Sequence, residues 1–366
     1  MKLLGTTAVI GTLLASCLAA NASYPVVCSA FDERGDAAMV TLAEQKLMLQ
    51  ITPVAGGPLS LSTSVSEGGL LGCSVFFDKN SRYMAVGLAH LGLVVGPLRI
   101  VVTDLTTGKF AGDFTVPNAA LGASLQFAGF LREKPALVVL GSGAPDHPTN
   151  VFSTALFRVT GEQETPPTTR TLPATAMSVG NVSFADAMHD RLWFKSTPQF
   201  CPLRSVPLVG DGPEGARVDE VNVQPACDVG SAIAYPDANS LITATTREPS
   251  DLITRVDFTL HSAQQLALPA TGGHGSYTSV GRGTLSPDGQ VFAVSRNMLS
   301  NSFLGEARSR GTEVDVVQVS PLKVIGKVHL KADADTASIS IGHRNGAVTV
   351  LSFENGKWNS QLLKVQ

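Results

Sequence analysis

The sequence predicts an all-β chain built from about seven copies of one antiparallel unit, and three observations lead to this prediction. First, only 16% of the 366 residues are charged, whereas the chain contains 35 glycines and 21 prolines, a composition typical of short strands and tight turns. Second, the apolar runs are rich in β-branched residues and too short for helices. Third, one turn pattern recurs at intervals of roughly fifty residues.

The stretch GTLSPDGQVFAVSRN, residues 283–297, shows the repeated unit most clearly. A short apolar run leads into the turn Ser-Pro-Asp-Gly at residues 286–289, and a second β-rich run follows. Proline presets φ for a turn, the Asp side chain bonds the backbone two residues on, and glycine supplies positive φ. We expect this turn to join the first two strands of a sheet. Six further segments align on it, with turns at Asp32–Gly35, Asp78–Ser81, Leu131–Lys134, Ala187–Asp190, Pro236–Asn239 and His343–Gly346.

After the turn, each copy continues with a second strand, a variable loop, a third strand, a tight turn and a fourth strand. Radial repetition of such sheets around a channel leaves only short, protected edges. The sequence therefore predicts a single domain over residues 23–366, a seven-bladed β-propeller of four-stranded antiparallel blades. No eighth turn supports an eighth blade. The last copy has three clear strands, so its fourth strand either comes from residues before Cys28 or is missing.

The segments LSPDGQVFAVS and VVTDLTTGK resemble the turn and strand signatures of the WD40-like and YVTN-type propellers. This broad group includes quinoprotein amine dehydrogenase-like and lactonase-like members. The resemblance extends over the mature chain, and it implies a fold and not an activity. The Trp-Asp dipeptide of true WD40 repeats is missing, since Trp193 and Trp358 are the two tryptophans and neither precedes Asp. This difference argues against the intracellular scaffold branch of the group.

The N-terminus has the anatomy of an export signal, which combines one positive residue, Lys2, an apolar stretch and small residues. We therefore predict a signal peptide over residues 1–22. Two cleavage sites compete. Ala-Asn-Ala at 20–22, before Ser23, suits ordinary signal peptidase, whereas Leu-Ala-Ser-Cys at 14–17 resembles a bacterial lipobox. The expected location is secreted or periplasmic, and the alternative is a protein anchored by a lipid on Cys17.

Four cysteines remain after either cleavage, and an even number in an oxidising compartment predicts two disulfides. Cys28 and Cys73 are near matching positions on neighbouring first strands, four and five residues before the turn Asp, and Cys201 and Cys227 both fall on one face of the disc. We therefore expect the pairs Cys28–Cys73 and Cys201–Cys227. A structural role is favoured over a redox role because the sequence has no Cys-x-x-Cys spacing.

In this topology, the loops between second and third strands and those that enter each first strand share one face, called the loop face below. Polar groups that converge on its rim could bind a small polar or anionic ligand. Ordinary solvated charge is the alternative explanation for each of them. The candidate ligand-binding residues are Asp146, His147, Arg247, Arg282, Arg296 and Asn297.

The search for catalytic motifs favours a non-enzymatic role. The sequence has no His-Glu-x-x-His and no Gly-x-Ser-x-Gly, and a strand follows the Gly-x-Gly-x-x-Gly match at 210–215 where a dinucleotide site needs a helix. The histidines are widely scattered, so neither a metal nor another cofactor is predicted. The net charge of −3 gives no basic footprint for nucleic acid, and no apolar run after the signal could span a bilayer.

We therefore expect an exported, monomeric propeller of binding or scaffold type, with a protein or small-molecule ligand on its face. The alternative is a lactonase-like hydrolase acting on a cyclic ester at the channel mouth. For that reaction the candidates are Arg247, Arg282, Arg296 and His147. A carboxylate or histidine and an arginine within hydrogen-bond reach of one point would favour the enzyme.

Overall fold

The computed structural model describes residues 25–53, 57–66, 71–90, 96–118, 121–122, 124–142, 151–171, 182–195, 203–209, 219–221, 232–237, 239–246, 250–269, 276–301, 307–331 and 335–364. In these ranges the regular structure consists of 27 strands, β1 to β27, arranged in seven antiparallel sheets. The predicted all-β propeller fold is confirmed. The same ranges contain no helix with the length and apolar character needed to cross a membrane.

The strands follow one another along the chain and pair with their sequence neighbours within each sheet. The first sheet contains β1 (Val26–Phe31), β2 (Ala37–Ala43), β3 (Lys46–Thr52) and β4 (Leu59–Ser64). The second contains β5 (Leu71–Phe77), β6 (Tyr83–His90), β7 (Leu98–Asp104) and β8 (Lys109–Val116). The third contains β9 (Ser124–Phe130), β10 (Leu137–Ser142), β11 (Val151–Phe157) and β12 (Thr168–Thr171).

The remaining four sheets repeat this order. The fourth contains β13 (Val182–Asp186), β14 (Arg191–Lys195), β15 (Leu203–Pro207) and β16 (Asp219–Val221). The fifth contains β17 (Ala232–Asp237), β18 (Ser240–Thr245), β19 (Ser250–Asp257) and β20 (Ser262–Pro269). The sixth contains β21 (Ser276–Leu285), β22 (Val291–Asn301), β23 (Ala307–Gln318) and β24 (Lys323–Leu330). The seventh contains β25 (Asp335–Arg344), β26 (Ala347–Glu354) and β27 (Lys357–Lys364).

The seventh sheet departs from the predicted four-stranded blade, because three strands form it in the described part of the chain. The first described strand, β1, pairs with β2 inside the first sheet. Residues 1–24 lie outside the described residues, and they include the predicted signal peptide and most of the segment before Cys28 that was the predicted source of a fourth strand.

Each of the seven turns predicted from the repeat lies where a first strand passes to a second strand. In the opening example, Gly289 N donates to Ser286 O at 2.9 Å, and Gly289 has a φ of 70°, which glycine adopts without strain. Asp288 Oδ1 accepts from Gln290 N at 3.1 Å, as expected for an Asx turn. These seven turns define the second face of the molecule, called the turn face below.

Contacts between the first and last sheets close the ring. Ser29 Oγ on β1 donates to Ser338 O at 2.6 Å and lies 2.7 Å from Ser340 Oγ on β25. Near the outside of the same interface, Trp358 Nε1 on β27 donates to Thr41 Oγ1 on β2 at 3.2 Å. The seventh sheet is therefore packed against the first, and the stack of sheets returns to its start.

The hydrophobic core lies between neighbouring sheets and not inside a single layer. One cluster joins the first and second sheets, and others join the second to the third, the third to the fourth, the fifth to the sixth and the sixth to the seventh. Because both faces of the inner strands are covered, a run such as Met84 to Leu88 of β6 is almost continuously buried. Gly87 in this run leaves room for Phe127 of the next sheet, since a Cβ there would lie 2.7 Å from the phenylalanine Cβ.

Candidate functional site

The first strands of the sheets converge on a central cavity of 310 Å³ that opens on the turn face. Five of the seven sheets contribute described residues to it. Its wall combines polar and apolar side chains, and the apolar part includes one residue from each of these five sheets: Phe31, Phe77, Met188, Leu285 and Ile341. A concave space lined by apolar side chains and a few polar groups is the usual form of a small-ligand site.

Two of the four charged side chains at this cavity have structural roles. Asp32 is 3% exposed, and its Oδ1 accepts from the backbone N–H of Arg34 and of Asp36 at 2.9 and 2.7 Å. Asp78 is 5% exposed and accepts from the N–H of Tyr83 at 2.6 Å in the matching turn. These carboxylates hold the turns in shape, as the turn chemistry of the repeat requires.

The other two charged residues, Glu33 and Lys79, are exposed at the mouth of the cavity. They follow Asp32 and Asp78 directly in the first and second sheets, so one acidic and one basic group border the same opening. The cavity can therefore accept an apolar group while the mouth contacts a charged or polar substituent.

Of the candidate residues from the sequence, Asp146, His147 and Arg247 lie outside the described residues, as do Cys201 and Cys227. Their proposed roles stay predictions. The disulfide between Cys28 and Cys73 is present and joins β1 to β5, with 5.9 Å between the Cα atoms.

The three described candidates all belong to the sixth sheet. Arg282 is exposed on β21, where its backbone N–H donates to Ser295 Oγ at 2.9 Å and its carbonyl accepts from the same hydroxyl at 3.1 Å. Asn297 on β22 is half-buried, and its Oδ1 accepts from Thr312 Oγ1 of the facing strand at 3.1 Å. These two side chains remain proposed ligand contacts.

Arg296 has a different position from the exposed rim that the sequence suggested. Its side chain is completely buried between the fifth and sixth sheets, where three carboxylates surround it. Nε donates to Asp315 Oδ2 at 2.6 Å, and Nη2 donates to Glu313 Oε1 at 2.5 Å. Nη1 donates to Pro269 O at 3.0 Å and lies 3.5 Å from Asp251 Oδ2. The guanidinium is thus fully engaged inside the protein and closed to a ligand in solution.

A second cation completes this buried ion cluster. Lys327 Nζ on β24 donates to Glu313 Oε1 at 2.7 Å and lies 3.2 Å from Asp315 Oδ1. On the other side, Thr278 Oγ1 donates to Asp251 Oδ2 at 2.7 Å. Three carboxylates therefore meet two cations between two sheets, and the desolvated carboxylates depend on these partners.

The sequence contained a signal for this cluster. Glu313 and Asp315 alternate with Val314 and Val316 in the middle of β23, and alternation places both carboxylates on one face of a strand. Two acidic groups on a face that packs against another sheet require a buried cation, which Arg296 on the neighbouring strand supplies. Within the described ranges, no group of three or more His, Cys, Asp or Glu side chains is arranged to hold a metal ion.

Alkaline pH is expected to weaken the cluster through Lys327. Burial lowers the pKa of this ammonium, but the hydrogen bond to Glu313 and the charge of Asp315 outweigh it and raise the pKa above 10.5. A pKa raised in the folded state gives stability that is complete below the unfolded pKa and is lost as pH rises through the folded pKa. We expect Lys327→Met to remove this alkaline loss from the free energy of unfolding, measured by urea titration between pH 8 and about 11.

The effect should stay below about 1 kcal/mol, because the side chain is 38% exposed and solvent screens its charge. Lys109→Met on the exposed β8 is the matched control and should keep the wild-type pH profile. A Lys327→Met profile that coincides with that of the wild type would contradict the assigned role.

Comparison with known proteins extends at most to the arrangement of the strands. No protein family model matches the chain, and no curated protein matches it significantly in sequence. Among solved structures, one of two prolyl endopeptidases superimposes with a TM-score of 0.50 at 11% identity, over 93% of this chain and 49% of that one. Hydrazine synthase from Kuenenia stuttgartiensis gives a TM-score of 0.48 at 9% identity, over 93% and 96% of the two chains. The Dos1 propeller gives 0.42 at 11%, over 93% of each.

Only the architecture is shared. At these identities a likeness extends to the arrangement of the strands and not to substrates or partners. The seven sheets and the contact between the first and the last make the chain a β-propeller, and its function depends on its own residues.

Proposed function

We propose that this protein is an exported β-propeller of binding type, which holds a small molecule or a segment of another protein in the central cavity of the turn face. The observation that supports this most directly is the cavity of 310 Å³ to which five sheets contribute. Its walls stand on strands and not on long loops, so the space is preformed, and a ligand loses little free energy in ordering it.

The lining also indicates what kind of ligand would fit. The apolar wall formed by Phe31, Phe77 and Met188 suits an apolar body, and the exposed Glu33 and Lys79 at the mouth suit a polar or zwitterionic substituent. This site is on the opposite face from the candidate loop residues, of which Arg282 and Asn297 remain a second proposed contact region.

Export is part of the same proposal. A disulfide such as Cys28–Cys73 persists in an oxidising compartment, which supports removal of residues 1–22 and a secreted or periplasmic location for a domain over 23–366. Cleavage at Cys17 with lipid anchoring is the alternative, and the mass of the mature N-terminus distinguishes the two. Membership of the WD40-like and YVTN-type group is likewise proposed from the repeat signatures.

The lactonase-like alternative requires a carboxylate or histidine and an arginine within reach of one point that a substrate can enter. Within the described residues, an arginine and carboxylates lie within reach of one point at two places. The half-exposed Arg34 bonds Asp32 and Asp36 at 3.0 and 2.9 Å beside the cavity, where the Asp32 carboxylate also holds the turn. Around Arg296, Glu313 and Asp315 are 1% and 0% exposed, and a cyclic ester would have to separate the fifth and sixth sheets to reach them. Release of acid from a panel of simple lactones, measured by pH-stat, would favour this alternative over simple binding.

The binding proposal is tested by filling the cavity. A fragment library is screened by thermal unfolding, and a ligand at 100 times its Kd is expected to stabilise the protein by about 2.7 kcal/mol. Met188→Trp should abolish this gain because the larger ring occupies the cavity. Leu260→Trp introduces the same side chain at a position that is 71% exposed in the β19–β20 turn, and it should leave the gain unchanged. Hits that stabilise both variants equally would contradict a ligand site in the cavity.

A further inference from the structure

The outer edge of the seventh sheet is one strand short of the others. β27 pairs with β26 along its whole length, and no other strand pairs with it in the part of the chain that the structure describes. In an antiparallel strand, every second residue directs its N–H and C=O away from the neighbour it is paired with. An edge of this kind is a template for a further strand. Because the other sheets have a fourth strand, the edge of β27 lies about 4.8 Å, one strand spacing, closer to the centre of the ring than theirs.

One side of this edge carries exposed apolar side chains. The face of β27 directed towards the first sheet presents Trp358, Ser360, Leu362 and, at the end of the strand, Lys364. Trp358 bonds to Thr41. Met48 lies directly opposite Thr41 in the pairing of β2 with β3, so it is on the same face. Leu362 is 63% exposed and Met48 is 37% exposed, so both offer apolar surface to a partner.

The other side is polar and mainly basic. The face of β27 directed towards the sixth sheet presents Lys357, Asn359, Gln361 and Leu363, of which Leu363 packs against the core between the two sheets. The three polar residues, with His329 and Lys331, line a cavity of 580 Å³.

The acidic residue of this cavity, Glu354, is 8% exposed and already bonded within the protein. Its Oε2 accepts from the backbone N–H of Lys331 at 3.0 Å, and its Oε1 accepts from Ser352 Oγ at 3.1 Å. Lys331 and Lys357 outnumber this carboxylate by two to one, so the charged lining of this cavity has one net positive charge.

From these two sides we infer that β27 is a docking edge for an extended segment of a partner protein in which apolar and acidic residues alternate. The segment adds to the sheet as a fourth strand through main-chain hydrogen bonds. Its apolar side chains cover Leu362 and Met48, and its carboxylates face Lys331 and Lys357. Because successive side chains of a strand point to opposite faces, one segment can present its apolar residues to one side of the sheet and its acidic residues to the other. This surface is separate from the central cavity and does not depend on the ligand proposed there.

The N-terminal segment of the chain itself is a poor occupant once residues 1–22 are removed. Three residues, 23–25, then precede β1. The shortest connection from the outside of one sheet to the first strand of the next, between β24 and β25, already takes four residues, 331–334. No residue would remain to form a strand.

A second copy of the chain is also disfavoured. β27 reads KWNSQLLK, with Lys357 and Lys364 at its ends and no acidic residue. Antiparallel pairing of two such strands brings basic ends together, and like charges across a strand pair are destabilising. A partner with acidic side chains fits the charge of the edge better.

The test uses the exported protein, with its N-terminus read by mass spectrometry, and a synthetic eight-residue peptide that alternates valine with glutamate. We expect the peptide to bind, and the double variant Lys331→Glu/Lys357→Glu to bind it about ten-fold more weakly while binding a valine–lysine peptide more tightly than the wild type does. Lys109→Glu, on the edge of the second sheet, is the matched control and should change neither affinity.

Hydrogen exchange locates the peptide. Amides of every second residue of β27 should gain protection when the glutamate peptide is bound, and amides of β20 and β24 should not. The proposal is overturned if the wild type binds neither peptide, if it binds both equally, or if charge reversal has no effect. It is also overturned if the β27 amides are already protected without peptide, because the edge is then occupied by the chain itself or by a second copy.

Discussion

Arg296→Met is expected to lower the free energy of unfolding by about 3–5 kcal/mol, the usual cost of removing one partner from a buried ion pair. The side chain is 0% exposed, and its loss leaves Asp251, Glu313 and Asp315 with Lys327 as the remaining cation in the cluster. Urea unfolding of the purified variant, followed by far-UV circular dichroism, measures the change.

The control for this prediction is Arg158→Met. Arg158 pairs with Glu162 at 2.9 Å, but both side chains are more than half exposed, so the loss should be below about 1 kcal/mol. If Arg296→Met does not fold, the variant that also carries Glu313→Gln and Asp315→Asn removes the unpaired charges and should recover part of the stability. Equal losses in Arg296→Met and Arg158→Met would contradict the role of the buried cluster.

Replacing Cys28 and Cys73 by alanine together is expected to cost about 4 kcal/mol, since the bridge closes a loop with a sequence separation of 45 residues in the unfolded chain. The bridge joins the first strands of two sheets beside the ring closure, so no other covalent link repeats this constraint in the described ranges. Denaturant unfolding of wild type and double variant under non-reducing conditions gives the difference.

The same variant tests the second predicted bridge. If Cys201 and Cys227 are paired, dithiothreitol should destabilise the double variant further, and non-reducing peptide mapping should recover the two cysteines in one fragment. If only Cys28 and Cys73 are paired, the reduced wild type and the double variant should have the same stability. A double variant as stable as the oxidised wild type would contradict the structural role of the first bridge.

The sequence predicted the local features of this fold well because they depend on a few residues. Turns such as Ser286 to Gly289 carry their geometry in their own side chains, and their repetition was enough to indicate the order of strands and the number of sheets. Cys28 lies four residues before its turn Asp and Cys73 lies five, so their proximity on neighbouring first strands was predicted from the repeat.

The features that the sequence did not predict depend on the contacts between neighbouring sheets. Arg296 follows directly after a β-rich run and before a long loop, so a rim position was plausible until the structure placed Asp251 of the fifth sheet against it. The same holds for Met48 and Leu362, whose exposure depends on what lies beside β27, where no further strand is paired in the described part of the chain. Local periodicity gives the alternation of side chains but not what each face meets.

The ring closure constrains the order in which the molecule can be assembled. The hydroxyl of Ser29 meets its partner carbonyl 309 positions later in the chain, so this seam cannot form until almost every sheet has been synthesised. Until then the first sheet presents an uncovered flank to its surroundings, whereas its other flank can be cross-linked early through Cys28. A chain that ends before the last sheet would therefore expose an uncovered apolar surface at each end of an incomplete ring. Such a species is prone to associate with another of its kind.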